Sequence, residues 1–143
     1  MGRKARVNKI HYRDSYKYQL SKNYQVLLAV RPPKFINTNF IRLDIDGTLS
    51  ICEGYAWDGP SGPAFDTPSF MRASLVHDAL YQLMREGHLD AAAWRAVADG
   101  EMRRICLEDG MPSIRAWWCH RGVRLGGGPS ASPSGSKPVL TAP

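Results

Sequence analysis

The sequence predicts a small α+β protein, with antiparallel β-hairpins in its first half and helices in its second half. Three features indicate this class. Strand-like segments fill residues 23–57, a stretch rich in Gly and Pro follows over residues 58–71, and helical spacing of apolar residues runs over 72–125. The 143 residues suffice for one domain with a real core, which we place at residues 23–125.

Three segments of residues 23–57 predict strands, namely YQVLLAV, FIRLDI and TLSICEGYAW. The last two flank the dipeptide Asp46-Gly47. This pair is a strong signal for a tight hairpin turn, because both residues tolerate the left-handed conformation.

The same hairpin contains a misleading motif. LDIDGTL matches the D-x-D-G-T signature of haloacid-dehalogenase phosphatases, which place it at the end of a buried parallel strand. Here polar and apolar residues alternate, which favours a half-exposed antiparallel hairpin instead. On that interpretation one side carries Ile41, Leu43 and Ile45, and the other carries Arg42, Asp44 and Asp46.

Positive charge is concentrated at the start of the chain. The formal net charge is +6, and residues 1–22 form a basic segment that we interpret as an arm. It is either a solvated surface segment or a binding site for an anionic partner, a phospholipid surface or a nucleic acid. The candidate anion-binding residues are Arg3, Lys4, Arg6 and Lys9.

The remaining composition bears on the compartment. The three cysteines (Cys52, Cys106, Cys119) have no paired or metal-type spacing, so we expect no disulfide framework and a reducing compartment. We expect neither a signal peptide nor a transmembrane segment. Residues 126–143, rich in Gly, Ser and Pro, predict a disordered tail.

The segment SLVHDALYQLM, residues 74–84, places a titratable pair inside an apolar helical pattern. At about 100° per residue, Val76, Ala79, Leu80 and Leu83 lie on one side of the helix. The other side, which we expect to be its polar face, carries His77, Asp78, Tyr81 and Arg85.

A second helix follows a break at Gly87, which favours an antiparallel helical hairpin. His77 and Asp99 are equally distant in sequence from His88, so they should face each other across the pair. A carboxylate bonded to one imidazole nitrogen sets the tautomer and leaves the other nitrogen as a general base.

Asp78 points about a quarter-turn away from His77 and is a candidate metal ligand. Oxygen ligands favour calcium or magnesium over zinc. Calcium also takes backbone carbonyls from Gly-rich loops, and the loop WDGPSGPAFD offers the Asp58 carboxylate and the Gly59 carbonyl.

The chain resembles phospholipase A₂ in the order of a loop, the motif HDALY and a second helix with an Asp. The resemblance is chiefly to the small prokaryotic and fungal forms of that family, which also end in an aromatic-rich helix like IRAWWCHRGVRLGG. Residues 54–126 are also similar to a bacteriophage and prophage family of unknown function. That family shares G-x-x-x-D-x-x-S-x-P, HDxxY, an Ala-Asp pair and a G-x-P turn, here GYAWDGPSGP, HDALY, AD and GMP. ASLV precedes the histidine here, whereas secreted phospholipases have cysteines beside it.

The phospholipase resemblance implies an antiparallel helix pair plus a third helix, and a calcium-dependent lipid ester hydrolase. His77 would be the base, Asp99 its orienting partner and Tyr81 a support for Asp99. Calcium ligands would be Asp78, Asp58 and Gly59. The phage resemblance implies the host cytoplasm or the virion as the location. Two alternatives remain open: a non-catalytic phage virion or host-interaction protein on the same scaffold, and, ranked lower, an HD-type metal phosphohydrolase.

Overall fold

The computed structural model describes residues 18–57 and 67–132 and has an α+β fold, as the sequence predicts. The chain forms two compact units that divide between residues 59 and 60. The first unit contains the described strands and the second contains the described helices, and each is treated by itself below.

The first unit contains two antiparallel sheets. Four strands form one sheet in the order β2-β5-β4-β3, and β1 pairs with β6 in the other. The described strands are β1 (Tyr18–Gln19), β2 (Tyr24–Leu27), β3 (Ile36–Asn37), β4 (Ile41–Leu43), β5 (Thr48–Ile51) and β6 (Ala56–Trp57).

The turn between β4 and β5 lies at the predicted dipeptide but differs from it in detail. The amide of Gly47 donates to the Asp44 carbonyl at 3.0 Å, and the amide of Asp44 donates to the Thr48 carbonyl at 2.9 Å. Of the two residues of the dipeptide, only Gly47 has a positive φ, of 96°. Asp46 is not left-handed; its carboxylate instead accepts a hydrogen bond from the Thr48 amide at 2.8 Å. The loop is therefore a three-residue hairpin with a left-handed glycine.

The D-x-D-G-T motif lies in this hairpin, as the alternation predicted. Leu43 and Leu49 are opposite each other in the register and both are buried, whereas Asp44 and Asp46 are exposed. Ile45 departs from the predicted alternation, because the chain has already left the strand there and the side chain is exposed in the turn.

The predicted basic arm ends earlier than residue 22. Tyr18 and Gln19 form β1, which pairs with Trp57 and Ala56 of β6. The ring of Tyr18 packs against the ring of Trp57 with centroids 5.4 Å apart, and both side chains are buried. Aromatic burial thus draws this part of the segment into the first unit.

The second unit contains helices α1 (Pro68–Arg85), α2 (Ala91–Glu108), α3 (Ser113–Gly126) and the short α4 (Gly128–Ala131). Pro68 starts α1, where its missing amide hydrogen costs nothing. Asp90 caps α2 by accepting a hydrogen bond from the Ala92 amide at 3.1 Å. The predicted tail begins later than residue 126, because α4 follows α3 and Ala131 is buried.

Helices α1 and α2 form the predicted antiparallel pair. Arg72, near the start of α1, contacts Glu108 and Asp109 at the end of α2, with 2.8 Å and 3.0 Å between the closest atoms. His77, in the middle of α1, contacts Asp99 in the middle of α2. These contacts place His77 and Asp99, the expected catalytic pair or dyad, opposite each other along the two helices.

The expectation of a polar face on α1 is wrong for two of its four residues. His77 and Tyr81 are buried, with 8% and 3% of their surface exposed, whereas Asp78 and Arg85 are partly exposed. Polar side chains can be buried there because α2 covers that side of α1 and supplies a hydrogen-bonding partner.

Among residues 18–57 and 67–132, none of the helices combines the length and the apolar character that crossing a bilayer requires.

We expect Gly47→Ala to lower the free energy of unfolding by more than about 2 kcal/mol, since a left-handed alanine costs about 1–2 kcal/mol and its Cβ also clashes. That Cβ would lie 2.1 Å from the Leu28 carbonyl oxygen. Gly87 is the matched control: its φ is also positive, at 81°, but a Cβ there meets nothing within 4 Å. Urea unfolding of both variants measures the difference, and equal losses would contradict the clash.

Candidate active site

The site is built on the facing sides of α1 and α2. His77 lies in α1 and Asp99 in α2, and the Nε2 atom of His77 lies 2.7 Å from the Oδ1 atom of Asp99. This is the contact that the spacing about His88 predicts. Asp99 is fully buried and His77 nearly so, which places the pair in a region of low dielectric where the contact is strong.

Both oxygens of Asp99 have further partners. The hydroxyl of Tyr81 donates to Oδ1 at 2.6 Å, and the guanidinium of Arg124 donates to Oδ2 at 2.8 Å. A buried carboxylate is stable only when it is paired and hydrogen-bonded, and Asp99 meets both conditions. Residues from three helices therefore converge on one carboxylate.

Arg95 extends the network beyond the carboxylate. Its Nε atom donates to the Tyr81 hydroxyl oxygen at 3.2 Å. Its Nη2 atom donates to the carbonyl oxygens of Val123 and Arg124, at 3.0 and 2.9 Å. These carbonyls belong to the last turn of α3, where a cation is favoured by the helix dipole. Arg95 thus joins Tyr81 to the end of the helix that carries Arg124.

The surroundings keep Asp99 ionised. Burial alone would raise its pKa, but hydrogen bonds from His77 and Tyr81 and the nearby Arg124 outweigh burial and lower the pKa below its ordinary value of 3.8. Tyr81 shifts in the opposite direction, because burial and the adjacent Asp99 carboxylate raise its pKa above its ordinary value. The pair is therefore a neutral phenol that donates to a carboxylate.

The ionised carboxylate determines the tautomer of His77. A carboxylate only accepts hydrogen bonds, so Nε2 of a neutral His77 carries the hydrogen and Nδ1 carries the lone pair. The imidazole lies against the Tyr81 ring with centroids 4.1 Å apart, which restricts its rotation. His77 is thus held in the form that can accept a proton at Nδ1.

Other basic groups lie near His120, which comes four residues before Arg124 on α3. Burial, followed by the charges of Arg103 and Arg124, lowers the pKa of His120 on α3, while Asp99 acts in the opposite direction. The Nε atom of Arg103 is buried without a hydrogen-bonding partner among the described residues. Two arginines and the Asp99 carboxylate therefore lie close enough to His120 to affect its charge.

The structure brings together three of the predicted site residues: His77, Asp99 and Tyr81. Asp78 follows His77 on α1 and is partly exposed. The other predicted residues lie outside the described parts of the chain: the loop ligands Asp58 and Gly59, and the anion-binding residues Arg3, Lys4, Arg6 and Lys9.

Sequence reasoning missed Arg124 and Arg95. The signal for Arg95 was its position four residues before Asp99, on the same face of α2. For Arg124 the signal was indirect: a buried aspartate requires a cation, and α3 is rich in arginine. The sequence does not show which of those arginines reaches the carboxylate.

The described residues include only one of the three predicted calcium ligands. In residues 18–57 and 67–132 no group of three or more His, Cys, Asp or Glu side chains is arranged to hold one. Asp78 is the single predicted ligand in this part of the chain, so the calcium prediction also depends on the loop that contains Asp58 and Gly59.

We expect Asp99→Asn to lower the free energy of unfolding by about 2–3 kcal/mol at pH 7, because charge-assisted bonds are lost and Arg124 remains unpaired. Since the folded-state pKa of Asp99 is lowered, its stabilisation is present above the unfolded value of 3.8 and is lost as pH falls through the folded value. The variant should thus lose less stability than the wild type on acidification.

Urea unfolding between neutral and acidic pH measures both effects. Asp109→Asn is the control, because that aspartate pairs with Arg72 nearer the surface and should contribute only about 0–1 kcal/mol. An acid limb of unchanged steepness in Asp99→Asn would contradict the assigned ionisation.

Comparison with protein-family models, with curated proteins and with solved structures gives no significant match to this chain. The likeness to phospholipase A₂ and to the phage family therefore stays a prediction from motifs, and the chemistry of the site rests on its own geometry.

Proposed function

We propose that the protein is a phage-encoded, phospholipase A₂-like, calcium-dependent lipid ester hydrolase. The observation that supports this function is the buried contact between His77 Nε2 and Asp99 Oδ1, 2.7 Å long. A histidine with an ionised carboxylate on one nitrogen and a lone pair on the other is suited to general-base catalysis.

In the proposed reaction, Nδ1 of His77 takes a proton from a water molecule as its oxygen attacks the ester carbonyl carbon. Asp99 holds the imidazole in the required tautomer and stabilises the imidazolium that forms. The imidazolium then returns the proton to the leaving alkoxide, which releases the lysolipid and the fatty acid. Tyr81 and Arg124 act as positioning residues, because they contact Asp99 rather than the reacting atoms.

The proposed calcium ligands are Asp78, Asp58 and the Gly59 carbonyl. When bound, calcium would stabilise negative charge on the ester oxygen and the phosphate. Asp78 is adjacent to His77 in sequence and partly exposed, so a calcium ion bound to its carboxylate would lie close to the pair of His77 and Asp99.

The proposed partner is an anionic phospholipid surface, with the basic residues Arg3, Lys4, Arg6 and Lys9 contributing attraction. Each Lys or Arg near such a surface is worth about 1 kcal/mol. Nucleic acid is the other anionic partner that this charge suits. The proposed location is the bacterial host cytoplasm or the phage virion.

One observation favours a second candidate, a non-catalytic phage virion or host-interaction protein. The network around Asp99 joins α1, α2 and α3 through His77, Tyr81, Arg95 and Arg124. Such a network stabilises and orients three helices whether or not the imidazole ever receives a proton. Activity measurements separate the two candidates.

We expect His77→Gln to lower calcium-dependent release of fatty acid from phospholipid vesicles by about 10²–10⁴-fold, the contribution of a positioned general base. Because His77 is buried and bonded to Asp99, the variant should also be less stable, so the assay belongs at a temperature where circular dichroism shows it folded. His88→Gln is the matched control, since His88 is exposed.

Deletion of residues 1–17 tests the partner in the same assay and should weaken the preference for anionic over neutral vesicles. If the wild type releases no fatty acid from any phospholipid with calcium present, yet binds vesicles or DNA, the hydrolase proposal is lost. The non-catalytic candidate then takes its place.

We expect calcium to raise the melting temperature of the wild type, since a ligand at about 100 times its Kd stabilises a protein by about 2.7 kcal/mol. Asp78→Asn should lose most of this gain, whereas Asp109→Asn should keep it. Thermal unfolding with calcium and with chelator provides the measurement. Equal gains in wild type and Asp78→Asn would remove Asp78 from the ligand set.

A further inference from the structure

Helix α3 has two distinct sides. Its inner side carries the buried Ala116 and Cys119, and near its end Arg124 reaches the Asp99 carboxylate. Its outer side carries four large apolar residues in contact with solvent, with exposed fractions from 38% to 77%. These residues are Ile114, Trp117, Trp118 and Leu125.

The outer residues form a continuous stripe. With Arg121, which is also exposed, they fall within about a third of the helix circumference at about 100° per residue. The rings of Trp117 and Trp118 meet edge to face with centroids 5.1 Å apart, and the Arg121 guanidinium lies 5.4 Å from the Trp117 centroid. We call these five residues the α3 stripe: Ile114, Trp117, Trp118, Arg121 and Leu125.

The charged residues of α3 itself have one sign. The helix sequence SIRAWWCHRGVRLG contains three arginines and no acidic residue. Arg121 lies within the stripe and Arg115 lies beside it, partly exposed. A helix with tryptophan and leucine on one side, flanked by arginine, suits the boundary between the headgroups and the acyl chains of an anionic bilayer.

We infer that the α3 stripe docks the protein on an anionic phospholipid surface. This inference rests on the proposed function in one respect, because it names the surface on which the substrate is presented. Four of the five stripe residues are apolar, which favours insertion into a bilayer over nucleic-acid binding, in which basic side chains would make most of the contact. The two tryptophans provide flat amphipathic rings at the headgroup level, and the arginines pair with phosphates.

Docking through α3 would bear directly on the dyad. The same helix donates from Arg124 to Asp99, and the carbonyls of its last turn accept from Arg95. A bilayer that holds the stripe therefore holds the helix whose Arg124 contacts the Asp99 carboxylate.

The experiment measures binding of the full-length protein to vesicles of ether-linked phosphatidylglycerol, whose chains contain no ester to hydrolyse. Tryptophan fluorescence should shift to the blue on binding, and brominated alkyl chains in the same ether-linked lipid should quench it. Trp118→Ser and Leu125→Ser should each weaken vesicle binding by about tenfold, equivalent to about 1.4 kcal/mol. Leu27→Ser is the matched control: Leu27 is 64% exposed on β2, and its loss should leave vesicle binding unchanged.

Several results would overturn the docking inference: equal binding by wild type, Trp118→Ser and Leu125→Ser; absence of quenching by brominated chains; or equal binding to phosphatidylcholine and phosphatidylglycerol. Sedimentation equilibrium provides a further test. If the wild type is a dimer and the stripe variants are monomers, the stripe is an interface between two copies of the chain and the docking inference is overturned.

Binding to ether lipids without hydrolysis of ester lipids would leave docking intact and refute only the proposed function. Hydrolysis of a dispersed short-chain ester without vesicle binding would refute docking and leave the proposed function intact.

Discussion

The fully buried carboxylate of Asp99 is the constraint on which the described helical unit depends. An ionised group in a low-dielectric interior is tolerated only if donors surround it, and here His77, Tyr81 and Arg124 provide them. These donors come from α1 and α3, so satisfying one carboxylate in α2 sets how three helices meet. Removal of any donor would leave a buried charge with fewer partners.

The same constraint sets the protonation states that the proposed catalysis needs. Because the Asp99 pKa is lowered, the carboxylate stays charged and holds the proton of His77 on Nε2. Because the pKa of Tyr81 is raised, the phenol stays a donor and cannot compete with His77 as a base. A structural network with a buried phenol and carboxylate would show the same two shifts, so it is the free Nδ1 of His77 that the proposed catalysis adds.

The sequence predicted the α+β class, the hairpin at Gly47 and the pairing of His77 with Asp99, because these depend on local turn chemistry and on spacing about one break. It did not predict burial of His77 and Tyr81, since helical periodicity shows only that they share a face and not what covers it. Arg124 was missed for a related reason: its contact with Asp99 depends on how α3 crosses α2, and no spacing within one helix encodes that crossing.

The tryptophans of α3 also show that residue type alone does not determine burial. A Trp pair on an amphipathic helix is more often core, yet Trp117 and Trp118 lie on the outer side of α3 while the smaller Ala116 and Cys119 face inward. Small residues on the inner side favour a close approach of α3 to its neighbours, and from this helix Arg124 reaches Asp99. One helix therefore carries both features: a small-residue inner side with Arg124 bonded to Asp99, and an outer side with the exposed stripe.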